Sequence, residues 1–259
     1  VFHLQPYGLI VLSGLVVGGV AMSRAARRLQ LPVGEMIGLA GVLVMASLIG
    51  SHLLDVIAYQ LDRAHADPSL WFQLFNGVSL FGAFAAIAIV AVIWSSARGL
   101  PLGKVADCIV LGLVVALVIG RIGCAYVHDH PGTPTSLPFG INLTGTVWTH
   151  DTPYGSEPLT IRVHDLGLEE LLCLIPIAAA LWLLAIRRRR PGMLAVIFGL
   201  AYAPIRFGLD FLRASCTEPT HPGLTTGQWG CIVMLLLAIA GLTNAPPPTD
   251  ERGASLASP

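Results

Sequence analysis

Seven runs of apolar residues, each near the length that crosses a hydrocarbon core, dominate this chain. A spanning helix needs about 20 mostly apolar residues, or about 17 at the short end. The runs extend roughly from Tyr7 to Met22, Glu35 to Tyr59, Leu80 to Trp94, Val105 to Ile119, Leu168 to Ile186, Met193 to Phe211 and Gln228 to Thr243. Composition agrees: 54% of the residues are hydrophobic and only 12% are charged. A soluble domain of this length would need far more polar surface to cover its core. The expected fold is therefore an all-α integral membrane protein of about seven helices.

The connections are short except between the fourth and fifth runs. There, residues from about Arg121 to about Asp165 hold many Pro, Gly and Thr, which predicts a small extramembrane head of loops and short strands. Residues 1–244 are expected to form one membrane domain with this head inserted at about 121–165. After Asn244 the chain reads Ala-Pro-Pro-Pro and then charges, so 245–259 is expected to be a disordered tail. Basic residues in short loops set orientation. Arg24, Arg27, Arg28, Arg98, Lys104, Arg187, Arg188, Arg189, Arg190 and Arg252 all fall on one side if the runs alternate. That side is expected to be cytoplasmic, with the N-terminus outside and the tail inside. Net charge is zero, and nothing suggests a nucleic-acid partner.

Arg206 breaks the pattern, because it lies within the sixth apolar run. An arginine at a helix centre costs about 2.5–3.5 kcal/mol on the insertion scale, so it is rarely idle. Tyr202, Arg206, Asp210 and Arg213 are spaced four, four and three, which puts them on one helical face. Arg121 closes the fourth run at the same membrane face, and His164, Asp165, Glu169 and Glu170 stand where the head returns to the fifth. Clustered arginines repel unless an anion joins them. Two readings follow with equal weight. One is an outer-leaflet site that grips a lipid phosphate, since phosphate suits the planar guanidinium fork. The other is internal ion pairing, with Arg206 against Asp210 and Arg213 as an interfacial anchor.

The residues around these arginines resemble a known family, the prolipoprotein diacylglyceryl transferases, over most of the chain from Tyr7 to about Gly241. The family pattern G-R-x-G-N-F-x-N-x-E-x-x-G is met here by Gly120, Arg121, Gly123 and Gly132, with Asp129 in the glutamate place. Cys124 and Val127 stand in the asparagine places and Ala125 in the phenylalanine place. The pattern Tyr-x-x-x-Arg-Phe-x-x-Glu-Phe-x-Arg is matched by Tyr202, Arg206, Phe207, Asp210, Phe211 and Arg213. His164, Leu168 and Glu170 resemble the family's segment at the start of the fifth helix. Tyr7-Gly8-Leu9 matches the opening, and Leu224-Thr225-Thr226-Gly227-Gln228 the approach to the last helix. A family histidine before the third helix is replaced by Phe81.

The resemblance implies an enzyme of the bacterial plasma (inner) membrane. It would transfer the diacylglyceryl group of phosphatidylglycerol to the lipobox cysteine thiol in a prolipoprotein signal peptide, the first step of lipoprotein maturation. Its partners would be phosphatidylglycerol, that peptide and the surrounding membrane lipids. Arg121 and Arg206 are the implied phosphate clamps. His164, Asp129 and Glu170 are the base candidates, and imidazole is the side chain that titrates nearest neutrality. Tyr7, Tyr202, Asp210, Arg213, Gly120, Gly123 and Gly132 are the implied substrate-binding set. Tyr7 also reads as an interfacial anchor. Asp210 is expected to orient Arg206 or Arg213. Two alternatives stay open: a transferase of the same fold with a different acceptor, motivated by Cys124, Val127 and Phe81, or a non-catalytic lipid-binding membrane protein.

Other residues read more plainly. His128, His130 and His150 are expected as exposed head residues. No established metal-ligand spacing is present, so neither a metal nor a cofactor is expected. His52 and Asp55 are expected either to line the cavity or to pair. Gly38, Gly41 and Gly50 suit close helix packing. Cys108, Cys173 and Cys231 read as packing residues. Cys124 and Cys216 are either a disulfide pair or free thiols.

Overall fold

The computed structural model describes residues 6–145, 148–149, 152–153, 159–187, 189–213 and 220–243. The apolar runs become helices because continuous hydrocarbon-length segments can pair their own backbone groups only that way. In chain order they are α1 (Pro6–Arg28), α2 (Val33–Tyr59), a short α3 (Leu61–Ala66), α4 (Leu80–Arg98), α5 (Leu102–Val127), α6 (Leu166–Leu184), α7 (Met193–Asp210) and α8 (Thr226–Thr243). Among the described residues, seven of these, all but α3, are long and apolar enough to cross a membrane. The chain is a multi-pass membrane protein.

The head holds short strands, as its composition predicts. They are β1 (Pro131–Pro134), β2 (Ile141–Gly145), β3 (Trp148–Thr149), β4 (Thr152–Pro153) and β5 (Leu159–Asp165), followed before α8 by β6 (Thr220–His221) and β7 (Leu224–Thr225). The main sheet has the antiparallel order β1-β5-β2. Ile141 faces Val163 and Gly145 faces Leu159. Thr160, Ile161 and Val163 supply β-branched residues to the central strand. His150, Cys216, Arg188, Arg252 and the tail 245–259 lie outside the described residues.

Small residues bring the helices together. In lipid there is no hydrophobic drive between helices, so close backbone approach matters more. A Cβ built on Gly18 of α1 would stand 2.8 Å from the Ala116 Cβ of α5, and one built on Gly112 would stand 2.7 Å from the Met22 Cβ. The same device joins α2 to α4, where a Cβ on Gly50 would meet the Ala86 Cβ at 2.5 Å. Of the α2 glycines expected to pack, Gly50 does so, while Gly41 has nothing within 4 Å. The core between the helices is built from Met36, Leu39, Val105, Leu111, Leu174, Leu181, Phe198 and Tyr202. Val16, Ile37, Met45, Ile93 and Leu237 face outward, as lipid-facing residues do.

The helices outrun the sequence expectation at both ends of the bundle. α1 runs on through Arg24, Arg27 and Arg28, because long basic side chains reach the interface from a helix end. Arg28 lies over the Trp182 ring at 5.7 Å. At the same end Arg98 pairs with Glu35 at 2.7 Å. α5 continues past Arg121 to Val127, so Arg121 lies inside the helix rather than closing it. Buried Asp107, which no sequence pattern marked, accepts from the backbone N–H groups of Gly192 at 2.8 Å and Ala195 at 3.0 Å. It satisfies donors orphaned at the start of α7.

Overpacking a close contact typically costs about 1–3 kcal/mol. Gly112→Leu is therefore expected to lower the unfolding temperature in detergent, while Gly41→Leu leaves it unchanged. Equal shifts in a thermal-unfolding assay would contradict this packing.

Candidate active site

The site forms where the last turn of α5 meets the first turn of α6. Asp165 ends β5 and caps α6, accepting from the Leu168 N–H at 3.2 Å. Gly167 permits the approach, since a Cβ there would stand 3.1 Å from the Cys124 Cβ. This seating points Glu170 into the bundle. Its Oε2 pairs with Arg121 Nη2 of α5 at 2.9 Å. Arg206 Nε of α7 reaches the same oxygen at 3.7 Å. The other oxygen, Oε1, accepts from the Tyr202 hydroxyl at 2.7 Å. Buried charge is tolerated only when paired and hydrogen-bonded. One carboxylate thus draws guanidinium groups from two helices to a single point.

The stripe on α7 continues outward. Arg206 Nη1 donates to Asp210 Oδ1 at 2.7 Å. Arg213 lies just past the helix end, with its Nε 3.3 Å from the same Asp210 oxygen. Asp210 orients both arginines, where the sequence left a choice between them. The Thr225 hydroxyl donates to the other Asp210 oxygen. Thr225 also accepts from the Gln228 N–H at 3.0 Å, and Gln228 Oε1 accepts from the Thr225 N–H at 3.0 Å. That is a capping box, and it explains the Thr-Thr-Gly-Gln run before α8. A β-bridge joins Gly132 to Arg213. A Cβ on Gly132 would meet the Leu212 carbonyl at 2.6 Å. Arg206 Nε is buried and makes no hydrogen bond among the described residues.

The remaining expected site residues are placed as follows. Tyr202 is fully buried and spends its hydroxyl on Glu170, not on a headgroup oxygen. Tyr7 packs against Gly123, where a Cβ would stand 3.2 Å from its ring. Gly120 has open space beside it. His164 Nδ1 donates to Glu169 Oε1 at 2.6 Å. Asp129 hydrogen-bonds His130. His128, half exposed, donates to Asp165 at 2.8 Å. His52 and Asp55 do not pair: His52 donates to the Leu70 carbonyl at 3.0 Å and Asp55 accepts from Gln60 at 2.6 Å. Both hold the segment that follows α2. Phe81 fills its place against Gly230 of α8, where its ring leaves no room for a Cβ. Cys108, Cys124, Cys173 and Cys231 are free thiols.

The profile of the prolipoprotein diacylglyceryl transferases matches residues 1–244. The chain belongs to that family. Its similarity to individual members is distant but covers most of both chains. A phosphatidylglycerol–prolipoprotein diacylglyceryl transferase of Chromohalobacter salexigens is 27% identical, covering 92% of this chain and 87% of the relative. One from Cutibacterium acnes is 29% identical, covering 88% and 76%. Phosphatidylglycerol–prolipoprotein diacylglyceryl transferase 2 of Streptomyces coelicolor is 29% identical, covering 93% and 77%. As a diacylglyceryl transferase family member, the chain keeps the arginines of its α5 and α7 patterns and assembles them around Glu170.

Removing one partner of a buried ion pair costs about 3–5 kcal/mol, whereas an exposed pair contributes about 0–1 kcal/mol. Glu170→Ala is expected to lower the unfolding temperature far more than Glu35→Ala, which breaks only the exposed pair with Arg98. Comparable losses in the same thermal assay would remove Glu170 from the centre of the site.

Proposed function

We propose that this protein transfers the diacylglyceryl group of phosphatidylglycerol to a cysteine thiol of a prolipoprotein. The proposal places it in the bacterial plasma membrane, with the N-terminus and the head outside and the chain beyond residue 244 in the cytoplasm. The observation that carries this reading is the convergence of Arg121 and Arg206 on one Glu170 oxygen. Each guanidinium offers five N–H donors. Glu170, Asp210 and Cys124 engage some of them and fix the two planes, and the proposal gives the remaining ones to a phosphodiester.

The chemistry follows from that grip. The acceptor thiol loses its proton, and the thiolate sulfur attacks the glyceryl carbon that carries the phosphate. An S–C thioether bond forms as the C–O bond breaks, and the electron pair leaves on the oxygen of glycerol phosphate. Arg121 and Arg206 stabilise the charge on the departing phosphate. Glu170 acts as their anchor, since both its oxygens are engaged. Asp210 and Tyr202 position the arginines and Glu170, respectively. His164 is the proposed base: Glu169 holds its Nδ1–H, which leaves Nε2 to take the thiol proton. Tyr7 and Gly120 border the space for the headgroup.

A second reading keeps the lipid donor and changes the acceptor thiol. It is favoured by Phe81, whose phenyl ring occupies the place of a histidine in the family pattern.

Loss of one preorganised donor to a developing oxyanion costs about 10²–10³-fold in kcat. Arg206→Ala, purified in detergent with phosphatidylglycerol and a lipobox peptide, is expected to lose transfer on that scale while remaining folded. Full activity would end the proposed mechanism. Transfer to small thiols but not to the peptide would select the second reading.

A further inference from the structure

A second set of donor atoms gathers at the end of α5. Cys124, Asp129 and His130 place their Sγ, carboxylate oxygen and ring nitrogen within 4.8 Å of one another. The backbone reverses there to bring them together. α5 ends on His128, which takes the left-handed conformation at φ 53 without being glycine. Strained residues of this kind persist where surrounding structure holds them. Here the His128 ring is held by Asp165 at 2.8 Å. The His130 carbonyl accepts from the Leu166 N–H at 3.1 Å. Residues 129 and 130 therefore fold back over buried Cys124.

We propose that Cys124, Asp129 and His130 form a binding site for a zinc-class divalent cation with its fourth position open. One thiolate, one carboxylate and one imidazole make a mixed donor set that suits zinc in tetrahedral geometry. The two ligand charges balance the dication. Ligand atoms around zinc sit about 3.5 Å apart, so the set, which here spans up to 4.8 Å, contracts on binding. Asp129 already hydrogen-bonds the His130 ring, and a cation would take the place of the hydrogen between them. Arg121 Nη1 donates to Cys124 Sγ at 3.6 Å, a hydrogen bond of the kind that orients and tunes a ligand. The sequence spacing hides this site, because the chain reversal at His128 brings together residues that no straight helix would.

The site adjoins Arg121 and so the proposed headgroup position. Resting on the proposed transfer activity, the open position is where the acceptor thiol would bind. A thiol bound to zinc gives up its proton, which passes to His164 or to water while the sulfur keeps the electron pair for attack.

The test is titration of the purified full chain with Co²⁺ in detergent. The expected result is one Co²⁺ per chain with sulfur-to-cobalt charge-transfer and tetrahedral ligand-field absorption. Cys124→Ser should abolish the charge-transfer band, and His130→Ala should weaken affinity by at least about tenfold. In the unmodified protein, Zn²⁺ should slow alkylation at Cys124 but not at Cys173, located by mass spectrometry, so the outcome does not depend on a variant folding. Absence of the band, a band unchanged in Cys124→Ser, or no protection at Cys124 would overturn the site. A cysteine-bearing lipobox peptide should then shift the ligand-field bands where its serine counterpart does not. No difference between the peptides would overturn the thiol assignment. None of these readouts needs turnover, so a failure of transferase activity is seen separately.

Discussion

The carboxylate of Glu170 has to neutralise guanidinium groups arriving from two different helices, and the geometry of this end of the bundle follows from that requirement. Arg121, Arg206 and Tyr202 all meet it inside the protein. Coulombic attraction strengthens when water is excluded, and so does the penalty for leaving any member unpaired. α5, α6 and α7 are therefore tied in depth and rotation by one side chain. Asp210 extends the network to Arg213 and, through Thr225, to the start of α8. A set of cations held this way needs little reorganisation when an anion arrives, which is what electrostatic stabilisation of a leaving phosphate requires.

Packing below the site serves the same end. The close approaches at Gly18, Gly112 and Gly50 make a stiff bundle from residues with little surface of their own. The basic end is paired loosely at its surface, with Arg98 and Glu35 partly exposed. At the head end Glu170, Arg206 and Asp210 are buried. The two ends of one bundle thus use arginine differently: in an exposed pair on one side and in a buried ion-pair network on the other.

Much of this was legible in the sequence. The apolar runs specify the seven spans because length and hydropathy depend on local composition alone. Arg206 stood out because no membrane helix carries such a charge without a partner, and the four-residue spacing to Asp210 named that partner. Of the two readings offered for the arginines, internal pairing is found: Arg206 pairs with Asp210 and with Glu170. Partners distant in sequence were harder to read. Tyr202 could be placed on the right face but not directed to Glu170. Asp107 caps a helix 85 residues further along, a contact that no periodicity encodes. His52 and Asp55 sit one helical turn apart yet each turns to the following segment. The end of α5 was misjudged because an arginine usually marks the interface, and here Glu170 lets the helix carry it inward. Cys124 was not grouped with Asp129 and His130 because a left-handed histidine, not a spacing rule, brings them together.

Determination of the structure in a phosphatidylglycerol bilayer tests the central claim most directly. The account predicts one lipid phosphate within about 2.7–2.9 Å of guanidinium nitrogens from both Arg121 and Arg206, the distance of a charge-assisted hydrogen bond. Acyl chains or protein filling that position, with the phosphate bound away from both arginines, would contradict it.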